Sequence, residues 1–216
     1  MRKAMSASAA CLAALAMAST ASTANAAGDD PPPPDKITVE VLTVNGSGCP
    51  AGTAAVATAS DNSGFTVTYS NYLAQAGGSS TATDFRKNCQ LNLRVHVPQG
   101  FTYAIAGADY RGFANLEAGA SAVERASYYH QGTSPTQAVT HNLKGSLVDN
   151  WEFSDRTPVT ELVYKPCGEE RNFNVNTELR VTKGSDPSKT SFIAFDSTDG
   201  SVNTLYHFSW KRCPGA

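Results

Sequence analysis

From Ile37 onward, short runs of the chain place an apolar residue at every second position. Across residues 89–97, Cys89, Leu91, Leu93, Val95 and Val97 share one parity, and Gln90, Asn92, Arg94 and His96 share the other. A period of two puts the first set on one face of a β-strand and the second on the opposite face. Pro98 ends that strand, because it has no N–H to give to a ladder. The same period runs through Ile37-Val39-Val41, Phe65-Val67-Tyr69, Phe101-Tyr103-Ile105, Phe173-Val175-Thr177-Leu179-Val181 and Tyr206-Phe208-Trp210. Gly-, Asp-, Asn- and Pro-rich turns separate these runs at residues 61–64, 98–100, 183–188 and 197–200. Many short strands at this spacing predict an all-β fold: a two-sheet antiparallel β-sandwich, with a jelly-roll-like arrangement or a barrel as the alternative. One window departs from the pattern. "NLEAGASAVERASYYHQG", residues 115–132, has an Ala- and Glu-rich composition that suits one or two helical turns, yet it suits an irregular strand with a bulge equally.

The two ends read differently from the middle. Residues 1–26 open with Arg2 and Lys3, continue through a short Ala/Leu-rich stretch and end on Ala24-Asn25-Ala26. That is the order of a secretory signal peptide with an A-x-A cleavage site. Its apolar stretch falls well short of the roughly 20 residues that span a bilayer, so no membrane association is expected after cleavage. Residues 27–36 contain Pro31-Pro32-Pro33-Pro34, which predicts a flexible, extended arm outside the fold. Residues 37–216 then form a single domain of about 180 residues, long enough to bury a substantial core.

Charge and cysteine count change the picture once the signal is removed. The full chain has 17 basic and 19 acidic residues; losing Arg2 and Lys3 takes the net charge from −2 to −4. That balance removes the electrostatic drive for nucleic-acid binding. Five cysteines become four, because Cys11 lies in the signal, and four cysteines in an exported chain predict two disulfides among Cys49, Cys89, Cys167 and Cys213. Three pairings are open. Cys49 with Cys89 and Cys167 with Cys213 is preferred because it closes the most local loops. No C-x-x-C or H-x-x-x-H spacing points to zinc, and neither a cofactor nor a metal is expected.

No motif for catalysis stands out. There is no G-x-S-x-G elbow, and His96, His130, His141 and His207 each stand alone on their segments. The stretch "DNWEFSD" sets Asn150, Trp151 and Glu152 together, and "SYYHQ" sets Tyr128, Tyr129 and His130 together. Aromatics beside hydrogen-bonding neighbours are what a sugar- or polymer-binding face needs, while the same aromatics with satisfied polar tips serve equally as core. Trp210, beside Cys213, is expected to pack over the second disulfide. The reading drawn from the residues is a secreted, noncatalytic module for a cell-wall or environmental polymer, or for a secreted protein. Two rivals accompany it. One is a hydrolase using Glu152, Asp155 or Glu161 with His130 or His141, which would place a carboxylate of raised pKa beside Trp151. The other is a protease inhibitor presenting the disulfide-braced loop 45–53. "DSTDG" at residues 196–200 is read as a hairpin turn rather than a calcium loop.

Several phrases taken together resemble one family. "VNGSGCPAGTAAV", "FTVTYSNYLAQAG", "DFRKNCQLNLRVHVPQGFTYAI", "YRGFANLEAG", "DNWEFSD" and "NVNTELRV" are similar to secreted bacterial and fungal proteins grouped as domain of unknown function 4360. The resemblance spans roughly residues 37–213. It implies an extracellular, β-rich domain in which Cys49, Cys89, Cys167 and Cys213 are framework, and it carries no catalytic residues.

Overall fold

The computed structural model describes residues 30–134, 138–195 and 204–215. Residues 1–26, read as an export signal, and the turn at 196–200 lie outside the described residues. Among the described residues, twelve strands follow in order: β1 Thr38–Asn45, β2 Ala54–Thr58, β3 Gly64–Tyr69, β4 Leu73–Ala76, β5 Arg86–His96, β6 Phe101–Leu116, β7 Ser121–His130, β8 Val139–Lys144, β9 Leu147–Arg156, β10 Phe173–Thr182, β11 Ser191–Ala194 and β12 Thr204–Arg212. The only helical element among the described residues is a 3-10 turn at Val159–Glu161.

The strands form two antiparallel sheets and no closed barrel. One sheet has the order β1-β5-β10-β7-β8; the other runs β2-β3-β12-β6-β11-β4, with β9 also on β6. The long β6 carries β12 and then β11 along one edge and β9 along the other. All the alternating runs read from the sequence point their apolar parity into the space between the sheets. Phe65, Val67, Leu91, Leu93, Phe173, Val175, Tyr206 and Trp210 are all sealed from solvent. The register shifts between His207 and Phe208, where β6 contributes one extra residue, Ala106. This bulge changes the inward parity of β6 from Tyr103 and Ile105 to Ala108 and Tyr110. The window 115–132 forms the end of β6, a tight turn and β7, with no helix.

The disulfides are Cys49–Cys89 and Cys167–Cys213. In the chain-entropy account, loops of this length contribute on the order of 4 kcal/mol each. Trp210 donates Nε1–H to the Asn62 carbonyl at 2.9 Å and packs against Phe208 and Tyr103.

The described part of the Pro-rich arm is tied to the domain at Asp30 and Pro33. Asp30 forms a bridge with Trp210 and accepts from the Arg212 amide at 2.7 Å. Asn62 donates to the Pro33 and Asp35 carbonyls at 2.9 Å, and Pro33 is buried. One buried asparagine thus satisfies two carbonyls of the extended segment and anchors it at Pro33, while residues 31, 32 and 34–36 are exposed.

Gly112 shows how tightly β9 sits on β6. A Cβ there would lie 1.9 Å from the Ala194 carbonyl oxygen and 2.5 Å from the Trp151 ring. The first of these is backbone and cannot swing aside. Gly112→Ala is therefore expected to destabilise the fold by about 1–3 kcal/mol in urea unfolding. An unchanged midpoint would show that β9 and β11 tolerate separation from β6.

Candidate functional site

The stretch around Trp151 separates into two environments. Trp151 points inward from β9, is 5% exposed, and has ring centroids of Phe153 and Phe195 at 5.4 Å. It fills the space left by Gly112, its partner in register. Asn150 and Glu152 point outward, and Glu152 pairs with Arg111 at 2.9 Å. The tryptophan therefore offers no ring face to a ligand.

Beside Trp151, the inward parity of three strands brings together a group of polar side chains. Glu124 of β7, flanked by the small buried residues Ala122 and Ala126, is 0% exposed. His141 Nε2 of β8 lies 4.0 Å from Glu124 Oε2 and 2.9 Å from Asp155 Oδ1 of β9. The His141 ring stacks on Phe153 at 4.3 Å. Burial, and next the neighbouring Asp155 carboxylate, push the Glu124 carboxyl well above the usual carboxylate range. The hydroxyls of the buried Tyr69, Tyr110 and Tyr206 have no hydrogen-bond partner among the described residues, and neither Glu124 oxygen does. Asp155, His141 and a carboxyl of raised pKa beside Trp151 are what the hydrolase reading anticipates, with Glu124 as the carboxyl it did not name. The geometry suits a structural role. The trio ties β8 of one sheet to β9 of the other, and Glu124 is closed to any substrate. Of the other two acids of that reading, Glu152 points outward onto Arg111 and Glu161 lines the pocket at the end of β7.

Tyr128, Tyr129 and His130 stand at the end of β7, where they line a pocket with Ile105, Val163 and Phe173; Glu161 also lines it. Tyr128 and His130 face inward. The Tyr128 hydroxyl lies 3.2 Å from Thr157 Oγ1, and His130 is 2% exposed, its ring against Tyr103 and Phe173. Burial pushes the His130 imidazole down to about 4, against a hydrogen bond to the Val163 backbone that raises it. Tyr129 takes the opposite parity. It is half-buried on the outer face of the five-stranded sheet, so the tyrosine pair divides between core and surface.

That outer face is organised in rows. Tyr129 lies opposite Asn174 of β10, which lies opposite Asn92 of β5; the next row is Ser127, Asn176 and Gln90, and the next Arg125, Glu178 and Asn88. Asn92 Nδ2 donates to Asn174 Oδ1 at 2.8 Å, and Asn172 Nδ2 donates to Asn92 Oδ1 at 2.9 Å. Asn88, Gln90, Ser127 and Asn176 line a shallow open groove with Arg86, Arg125 and Glu178. The polar parity of β5 is visible in the sequence. Its alignment with the polar parity of β7 and β10 is not, because it depends on which strands become neighbours.

The loop at 45–53 is tied to β5 at Gly48 and Cys49, and its tip, Pro50, Ala51 and Gly52, is exposed. Gly48 donates its amide to the Asn88 carbonyl at 2.9 Å, and Cys49 is sealed from solvent. Among the described residues, no group of three or more His, Cys, Asp or Glu side chains is arranged to hold a metal ion.

Comparison with known proteins places these features in a family. A protein of Arthroderma benhamiae described as an "Uncharacterized secreted protein" is 33% identical over 186 residues, covering 86% of this chain and 76% of its own. The family described as "Domain of unknown function (DUF4360)" matches residues 35–213, a span that takes in both sheets, both disulfides and the polar outer face, and the chain belongs to it.

Proposed function

We propose that this protein is a secreted, noncatalytic binding module whose working surface is the outer face of the five-stranded sheet and whose ligand is an extracellular polymer. A relative described as secreted and a chain that opens on the pattern of an export signal support placing it outside the cell. The observation that carries the reading is the set of aligned rows across β5, β10 and β7, with amide and hydroxyl side chains beside the half-buried ring of Tyr129. Each amide offers both donors and acceptors, as sugar hydroxyls do, and a tyrosine ring supplies a face on which an apolar sugar face can stack. Adjacent strands lie about 4.8 Å apart and outward residues repeat about every 7 Å along a strand, so a periodic surface meets a periodic polymer.

The test is depletion of the purified protein from solution by insoluble cellulose, chitin, peptidoglycan and xylan. Saturable depletion by at least one of them is expected, weakened about tenfold in Tyr129→Ala, the loss of a contact worth about 1.4 kcal/mol. Depletion by none of them, or depletion that Tyr129→Ala leaves unchanged, would overturn the reading.

A further inference from the structure

We infer that the groove beside Tyr129 is a subsite for the anionic groups of an acidic polysaccharide, carboxylate or phosphate. This deepens the polymer-binding reading above and rests on it. The groove is lined by two guanidinium groups, Arg86 and Arg125, and a third, Arg180, stands opposite Arg86 in register on the same face. Glu178 is the one carboxylate in the groove lining, so it and the three arginines carry a formal charge of +2, on a chain whose net charge is −2 in full and −4 without Arg2 and Lys3.

Glu178 holds two of the three arginines in place without exhausting them. It accepts from Arg86 Nε at 2.7 Å through Oε2 and from Arg180 Nη2 at 2.6 Å through Oε1. Both arginine side chains remain about half exposed, at 48% and 49%. A guanidinium has five donors, so each keeps several for a ligand. Arg125, opposite Glu178 in register, is exposed and has no ion pair among the described residues. Arginines already ordered by a carboxylate lose less entropy on meeting an anion, and their planar forks match carboxylate and phosphate oxygens in pairs.

The neighbours select a sugar-borne anion over a simple salt. Asn88, Gln90, Ser127 and Asn176 share the groove with Arg86 and Arg125. They provide neutral donors and acceptors at the spacing of the strands, as a chain of hydroxyl-bearing units with one acid per unit requires. An open floor with evenly repeated side chains suits an extended polysaccharide.

The experiment is affinity gel electrophoresis of the full secreted chain in gels containing polygalacturonate, a glycerol-phosphate polymer, or neutral xylan, each at low and at moderate salt. Retardation is expected in at least one acidic gel, at least tenfold stronger than in xylan, and it should weaken steeply with salt. The two acidic gels separate carboxylate from phosphate as the natural source. Arg125→Ala should weaken acidic retardation about tenfold, with Arg125→Lys restoring it only in part. Arg111→Ala, on the other sheet and paired with Glu152, should leave it unchanged. Equal retardation in neutral and acidic gels, or acidic retardation that Arg125→Ala and Arg111→Ala reduce alike, would overturn this inference and leave the polymer-binding reading standing. Retardation in none of the three gels, together with no depletion by the insoluble polymers, would overturn both.

Discussion

Replacing Trp151 with alanine is expected to cost the fold about 4 kcal/mol and to leave ligand binding by the folded protein intact. The indole is 5% exposed and is held between Phe153, Phe195 and the bare backbone of Gly112. Alanine would leave a cavity that β6 and β9 cannot close, because their register is fixed by ten paired positions from Gly107–Arg156 to Leu116–Leu147. Burial of this kind accounts for about 3–5 kcal/mol on truncation of a large aromatic. Its Nε1 makes no hydrogen bond among the described residues, so the loss is one of packing alone. Urea unfolding checks the first half and polymer depletion the second. A small change in stability with loss of depletion would move the binding surface to β9 and contradict the burial.

Replacing Glu124 with glutamine is expected to stabilise the protein at pH 8, by on the order of 2 kcal/mol, and to have little effect near pH 4.5. The sign follows from where the proton sits. Burial and Asp155 raise the carboxyl in the folded state above its value in the unfolded chain. The stability tied to the neutral acid is then fully present below the unfolded value and lost as pH rises through the folded one. Glutamine keeps the shape of the neutral acid and cannot ionise, so its advantage grows with pH. His130 works in the opposite sense. Its imidazole is pushed down to about 4 by burial, so its contribution is present above the ordinary histidine value of 6.5 and lost as pH falls toward 4. The two slopes oppose each other in the wild type, whereas the difference between wild type and Glu124→Gln cancels the slope of His130, which is common to both, and reports Glu124 together with its coupling to Asp155 and His141. Urea midpoints at four pH values from 4.5 to 8 measure that difference. A difference that stays constant across the range would mean that Glu124 ionises in the folded state as it does in water.

Much of the fold is legible in the sequence for a simple reason: a half-buried strand writes its orientation in a period of two. The inward sets of β3, β5, β10 and β12 all follow that period, and the disulfide pairing follows the rule of most local loops. β7 is harder to read. Its inward set is Ala122, Glu124, Ala126, Tyr128 and His130, which starts with small residues and a carboxyl, so its hydrophobic pattern is nearly erased and its composition resembles a helix. The site is less legible than the fold. Trp151 and Tyr129 look alike in sequence, each an aromatic beside polar neighbours, and strand parity together with the packing partner decides that one is core and the other surface. Glu124 belongs to no motif, because its meaning comes from β8 and β9 meeting at the open side of the sandwich. The outer face brings Arg86, Arg125 and Arg180 together from three strands distant in sequence, which no local spacing reveals.

The most direct test of the binding surface is hydroxyl-radical footprinting of the protein with and without the polymer that depletes it most strongly. Side chains on the outer face of the five-stranded sheet, Tyr129 first among them, are predicted to lose reactivity when the polymer is bound. The exposed Val148 and Val159, away from those rows, are predicted to keep theirs. Protection centred on β9, with Tyr129 unchanged, would contradict the assignment of this face.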